Sequence, residues 1–302
     1  MRLCVSLLLT IAVTGSTGCS LKTIAANTIA STLAESGTTF TSDDDLQLVG
    51  DAIPFALKLQ ESTLESTPKH QGLLVATCSG FTQYAYAYVE TEAEALPSSR
   101  RAEIQAARDR ALRLYVRARG YCFRAMDVRF GEKASAALMQ NPEVVLAKAR
   151  AADVPLLYWT AASWGSAIAL GIDRPELAID LPAVRVLAER ALALDERWSK
   201  GALHELFITL DSLPEALGGN PARAKEHFHK AVEIQKGLSP GPYVSLAIGV
   251  AVAAQDRAEF ERLLKAALAI DPEKDPSSRL VTLVTQKRAR LLLDRIDENF
   301  AN

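Results

Sequence analysis

Apolar residues recur every three or four positions through twelve successive stretches: 44–66, 69–94, 98–129, 131–139, 142–151, 155–170, 181–194, 198–212, 220–237, 241–254, 256–270 and 276–299. That spacing is the signature of a helix buried along one face. Prolines and glycines fall between the stretches, among them Pro68, Pro97, Gly131, Pro142, Pro155, Pro182, Gly218, Pro221, Pro240 and Pro272. Several sit at an early helical position, where a missing N–H costs nothing. Pro54 is the exception: it lies inside its stretch and is expected to kink or split the helix. No Asn-Gly or Asp-Gly pair occurs, and no alternating run of strand length. The expected class is all-α with about twelve helices.

The second half repeats itself. ALALDE (191–196), AVEIQK (231–236) and ALAIDP (267–272) each close a helix, at intervals of about 40 and about 36 residues, near the tetratricopeptide period. The middle copy carries Ala224, Phe228 and Ala231 on one face, the small–large–small surface on which paired helices pack. Units of this kind cannot bury their apolar face alone, so they stack into a superhelix with a concave side. The expectation is a tetratricopeptide-like helical repeat superhelix over residues 43–302.

The N-terminus reads as an address. Arg2 precedes an apolar run from Leu3 to Val13 that is too short for a permanent membrane span and has the build of a secretory signal. Ser16-Thr17-Gly18-Cys19 resembles a lipobox, with Ser16 where leucine is usual. Residues 1–18 are therefore expected to be a lipoprotein signal peptide, Cys19 the lipidated first residue, and 19–42 a tether with a first helix that Gly37 ends. Ser20 rather than aspartate after Cys19 points to the outer membrane. Cys78 and Cys122 remain in an oxidising compartment, where a disulfide and two buried thiols are both open.

Chemistry is sparse. His204-Glu205 begins a zinc-protease motif, but position 208 is Ile208, so the second ligand is missing. His227 and His229 point to opposite sides of a helix and cannot share a metal from one face. No nucleophile elbow and no phosphate-cradling glycine loop occurs. Gly218-Gly219-Asn220 suits a turn and a helix cap, and Asp43 to Asp45 suit a helix start. No catalytic residue, metal or cofactor is expected. A net charge of −2 argues against nucleic acid, which requires a basic field.

What remains is shape and aromatics. Phe81, Tyr84 and Tyr88 share one helical stripe. Trp159 and Trp164 diverge by about 140°, so only one can point straight into the core. Ordinary repeat packing accounts for such residues. The functional alternative places Trp159, Trp164, Tyr84, Tyr88 and His204 on a ligand cleft, because large aromatics hold apolar groups while keeping a polar tip. Arg108, Arg110, Arg113, Arg117 and Arg119 form a basic cluster that suits a solvated face or an acidic partner.

The runs CSGFTQYAYAYVE (78–90), ARDRALRLYVRARGYCFRAMD (107–127), LYWTAASWGSAIAL (157–170), KGALHELFITLDSLPEALGGNPARAKEHFHKAVEIQKG (200–237) and GPYVSLAIGVAVAAQDRAEFERLLKAALAIDP (241–272) together resemble the TatT family. These are tetratricopeptide lipoproteins associated with tripartite ATP-independent periplasmic (TRAP) transporters. The resemblance runs from the lipid cysteine to about residue 272 and is carried by the order and spacing of the runs. It implies an all-helical fold and a homotrimer with a central channel or clefts. It also implies docking to the periplasmic substrate-binding subunit and a hydrophobic or amphipathic ligand. It carries no catalytic motif. A cell-envelope scaffold without a small-molecule ligand, as in outer-membrane or pilus assembly, is the alternative.

Overall fold

Asp45 opens the first long helix of the folded domain: its carboxylate accepts from the backbone N–H groups of Gln47 and Leu48, while Asp43 accepts from the N–H of Asp45. The acidic run is a cap, as its position suggests. The computed structural model describes residues 21–35, 37–171 and 178–300; Cys19 and the expected signal peptide lie outside them. Among the described residues the chain is all helix with no strand. None of their helices is long and apolar enough to cross a membrane.

The helices are α1 (Leu21–Glu35), α2 (Gly37–Thr41), α3 (Leu46–Ser66), α4 (Gln71–Ala85), α5 (Thr91–Ala95), α6 (Arg101–Phe130), α7 (Ala134–Leu138), α8 (Pro142–Leu146) and α9 (Val154–Leu170). They continue as α10 (Leu181–Leu194), α11 (Trp198–Asp211), α12 (Pro221–Ile234), α13 (Gly241–Leu246), α14 (Arg257–Leu268) and α15 (Arg279–Asp294). Three expectations are corrected. Pro54 does not split α3, which runs unbroken through it. The first helix does end before Gly37, at Glu35, but Gly37 begins a second short helix, α2, and not a loop. The stretch 69–94 is not one regular helix, because a π-helical turn at Tyr86–Glu90 joins α4 to α5.

The repeat is visible in burial. The equivalent alanines Ala191, Ala231 and Ala267 are fully buried near the ends of α10, α12 and α14. Three and seven residues before each, Ala188 and Val184, Phe228 and Ala224, and Leu264 and Phe260 are buried too. Asn220 caps α12 through Ala222 and Arg223 N–H, as expected of the Gly-Gly-Asn turn.

Two ends of the molecule follow from which residues meet. Tyr88 lies against Gly50, and Leu57 against Gly80, so α3 and α4 are antiparallel. Arg124 donates to the Pro68 carbonyl and Tyr115 to Glu90, so α6 is also antiparallel to α4. Ser31 hydrogen-bonds His70 and Ala34 lies against Gly72, so α1 runs alongside the start of α4 in the same direction. The basal end therefore holds the start of α4, the end of α6 and the turn through α7 and α8, and α1 enters the fold there. Cys78 and Cys122 are bridged, with both residues fully buried, and this disulfide ties α4 to α6.

Candidate functional site

The last helix returns to the first ones. Arg288 of α15 donates to both carboxylate oxygens of Glu94 in α5, at 2.8 and 2.6 Å, and to the Tyr86 hydroxyl at 3.0 Å. Arg295 donates to the carbonyls of Glu94 and Ala95, which the end of α5 leaves without helical partners. Arg279 reaches the Ser42 carbonyl, just past α2. The last helix of the array thus packs back onto the first ones.

Four side chains from four distant stretches come close enough to feel one another's charge: Tyr86 from the π turn, Tyr158 from α9, Glu205 from α11 and Arg288 from α15. Each keeps some contact with solvent, yet each is surrounded deeply enough for burial to dominate its electrostatics. Burial pushes the Glu205 carboxyl up to about 7, and only a hydrogen bond with Gln235 opposes it. Burial raises the Tyr158 hydroxyl well above its ordinary value, and the charge of Glu205 adds to the effect. Tyr86 is raised by burial, against the pull of Arg288, and it also feels Glu205. Burial would lower the Arg288 guanidinium, but Tyr86 and Glu94 hold it above its usual value. The carboxylate of Glu205 rests against Gly241, where a Cβ would fall 2.2 Å from a carboxylate oxygen, so any larger residue there would displace the Glu205 carboxylate.

Aromatic surface adjoins these groups. Tyr158 meets Trp159 edge-on at 4.9 Å between ring centroids and Trp198 in a tilted pair at 4.8 Å. All three rings are half-buried. This wall therefore combines apolar aromatic area with a carboxyl raised by burial, two hydroxyls and one paired cation. Such a surface suits a molecule with an apolar body and a polar end.

Of the five cleft residues expected from sequence, Trp159 alone adjoins this wall. Trp164 is fully buried, meets Phe123 edge-on at 5.0 Å and donates its indole N–H to Asp180, so it is core. The divergence of the two tryptophans is as expected. His204 is 1% exposed and points into the α11–α12 contact, not into the cleft. Its Nδ1 lies 2.8 Å from Nδ1 of His227, and its Nε2 has no hydrogen-bond partner, with Glu196 3.7 Å away. Tyr84 and Tyr88 stack on each other at 5.7 Å. Tyr88 is wedged against Gly50 and Tyr84 receives a hydrogen bond from Arg110, so Tyr88 packs on α3 and Tyr84 on α6.

A concavity of about 380 Å³ lies between α10, α11 and α12. Asp211, 1% exposed, accepts from Arg185 at 2.9 Å and from Arg223 at 2.8 Å, and both guanidinia also donate to the Gly218 carbonyl. Its polar groups are spent on pinning the turn before α12. In the basic cluster of α6, Arg117 pairs with Glu61 and Arg119 lies over the Trp164 and Phe123 rings. Among the described residues no group of three histidine, cysteine or acidic side chains could hold a metal ion.

Comparison with known proteins agrees with this architecture. Residues 42–300 match the family profile of the TRAP transporter T-component, nearly the whole described domain. An uncharacterised protein of Treponema pallidum (strain Nichols) is 29% identical over 301 residues, covering 94% of this chain and 93% of that one.

Proposed function

The chain belongs to the TRAP transporter T-component family, and from that premise we propose that it is a lipid-anchored periplasmic protein that docks the transporter's substrate-binding subunit and holds a hydrophobic or amphipathic ligand against this aromatic wall. What supports this reading is the packing of α15 onto α5, which brings Arg288 to Tyr86, with Glu205 and Tyr158 close by and an aromatic wall beside them. Lipid on Cys19 would hold the protein at the membrane, with Ser20 favouring the outer one. One acyl chain anchors only marginally, so several are needed. The reading is non-catalytic: the protein captures and presents a molecule without changing it.

Self-association belongs to the same reading. Leu48, Phe55 and Leu59 lie on one face of α3 and are 59%, 74% and 41% exposed, an apolar stripe suited to a neighbouring copy in a homotrimer.

The test is native mass spectrometry of the purified protein, with a pull-down against the substrate-binding subunit of a TRAP transporter encoded beside it. Copurification of an apolar or amphipathic molecule, lost in Tyr158→Ala with helicity unchanged, is the expected result. A ligand-free monomer that ignores that subunit would overturn the reading and favour a cell-envelope scaffold.

A further inference from the structure

The basal end of the molecule carries exposed apolar side chains that the fold does not use. Helices α7 and α8 each send one leucine inward, Leu138 and Leu146, both essentially buried in the main core. Their neighbours point the other way: Met139 is 53% exposed and Val144 71%. Around them stand the exposed cations Lys69, Arg124, Lys133 and Lys148. Exposed carboxylates at this end are Glu65, Glu132 and Glu143, so cations are in modest excess. The first described helix enters the fold at the same end, with its C-terminal half against His70 and Gly72.

That position constrains what can cover the patch. Cys19 precedes the start of α1 by two residues, a reach of about 7 Å. Helix α1 is 15 residues long, about 22 Å, and Ala30 within it is fully buried, so its C-terminal half is fixed to the domain. A lipid on Cys19 therefore leaves the basal end a short distance from the bilayer.

We propose that the basal surface formed by Met139, Val144, Lys69, Arg124, Lys133 and Lys148 rests on the lipid surface, with Met139 and Val144 among the headgroups and the four cations on anionic phosphates. This rests on the proposed lipidation of Cys19, which fixes which end meets the membrane. Each cation is drawn to an anionic surface within a few ångströms of it, and the two apolar side chains add contact that charge alone does not supply. Docked this way, the protein has a set orientation, with the far end, where α15 begins near Ser42, turned to the periplasm.

The test uses the full lipidated chain in vesicles of phosphatidylethanolamine and phosphatidylglycerol. A polarity-sensitive fluorophore is placed at Val144→Cys and, as the control at the far end, at Val281→Cys. The expected result is a blue shift and protection from an aqueous quencher at 144 and neither at 281. With the lipid-free chain, partition onto the same vesicles should exceed that onto phosphatidylcholine vesicles. The change Lys133→Glu with Lys148→Glu should lower it at least about tenfold. A label at 144 that stays as open to quencher as the one at 281 overturns the proposal. So does protection that appears without vesicles and grows with protein concentration, which would make the patch a contact between copies. Mass spectrometry of the N-terminal peptide reports acylation of Cys19 separately: an unlipidated chain whose 144 label is still protected on vesicles refutes the anchor and leaves the surface standing.

Discussion

Arg288 and Glu94 are separated by 194 residues of chain and joined by two parallel hydrogen bonds, with the Arg288 side chain only 16% exposed. A bidentate guanidinium–carboxylate pair fixes direction as well as distance. Here it sets where the last helix lies against the first ones.

Arg288→Ala should therefore loosen the packing of α15 and leave Glu94 and the Tyr86 hydroxyl without their partner. A fully buried pair broken on one side loses about 3–5 kcal/mol, and this partly exposed one should lose roughly 2–3 kcal/mol. Urea unfolding measures the loss. Hydrogen exchange should show faster exchange in α15 and α5 and little change in α9 and α10. Uniform acceleration across the chain would mean that the pair serves global stability and not the placement of α15.

The Cys78–Cys122 bridge closes a segment with a sequence separation of 44. A loop of that size removes about 4 kcal/mol of unfolded-state entropy in the simplest treatment, and measured values are commonly 2–4 kcal/mol. Cys78→Ala with Cys122→Ala should lower the urea midpoint accordingly. Because both cysteines are fully buried, the native protein should resist a mild reductant until it unfolds. Alkylation under native reducing conditions that is complete within minutes would contradict this.

Adjacent residues give opposite pH dependences. Burial, then the charges of His227 and Lys230, lower His204 to about 4 from an unfolded value of 6.5. Below pH 6.5 the unfolded chain binds a proton that the folded chain refuses, so stability falls as pH drops from 6.5 towards 4. The loss approaches about 3 kcal/mol at the bottom of that window. His204→Gln should flatten the acid limb of stability against pH.

Glu205 works the other way. Its folded value of about 7 exceeds the unfolded 4.5, so the folded state binds the extra proton and stability falls as pH rises between them. Glu205→Gln should stabilise the protein at pH 8 by about 1–3 kcal/mol and leave it unchanged at pH 4. Equal effects at both pH values would show that packing against Gly241, not charge, decides the substitution.

Phe55→Glu places a charge in the middle of the exposed stripe of α3, where it touches no core residue. Monomer stability should change by less than about 0.5 kcal/mol. If the stripe joins copies, size-exclusion light scattering should show a shift from trimer to monomer. An unchanged trimer would move the contact elsewhere.

The sequence by itself determined the class, the repeat and the family. Those rest on local rules: apolar spacing at 3.6 residues, prolines at helix starts, asparagine and aspartate at caps, and alanines at equivalent positions of a repeat. Ala191, Ala231 and Ala267 are legible because each helix buries its own stripe wherever it is placed. The divergence of Trp159 and Trp164 is legible for the same reason. Tertiary structure alone decided the cluster around Arg288. Tyr86 meets Arg288 only because the last helix packs back onto the first ones, which no periodicity reports in advance. His204 reads as a groove residue until α12 brings His227 to it, and Glu205 becomes a proton-holding carboxyl only when surrounding helices remove its water. Arg288 and Glu94 meet because small rotations accumulate over the whole array until its end reaches its beginning, a sum over every interface that no local stretch of sequence contains.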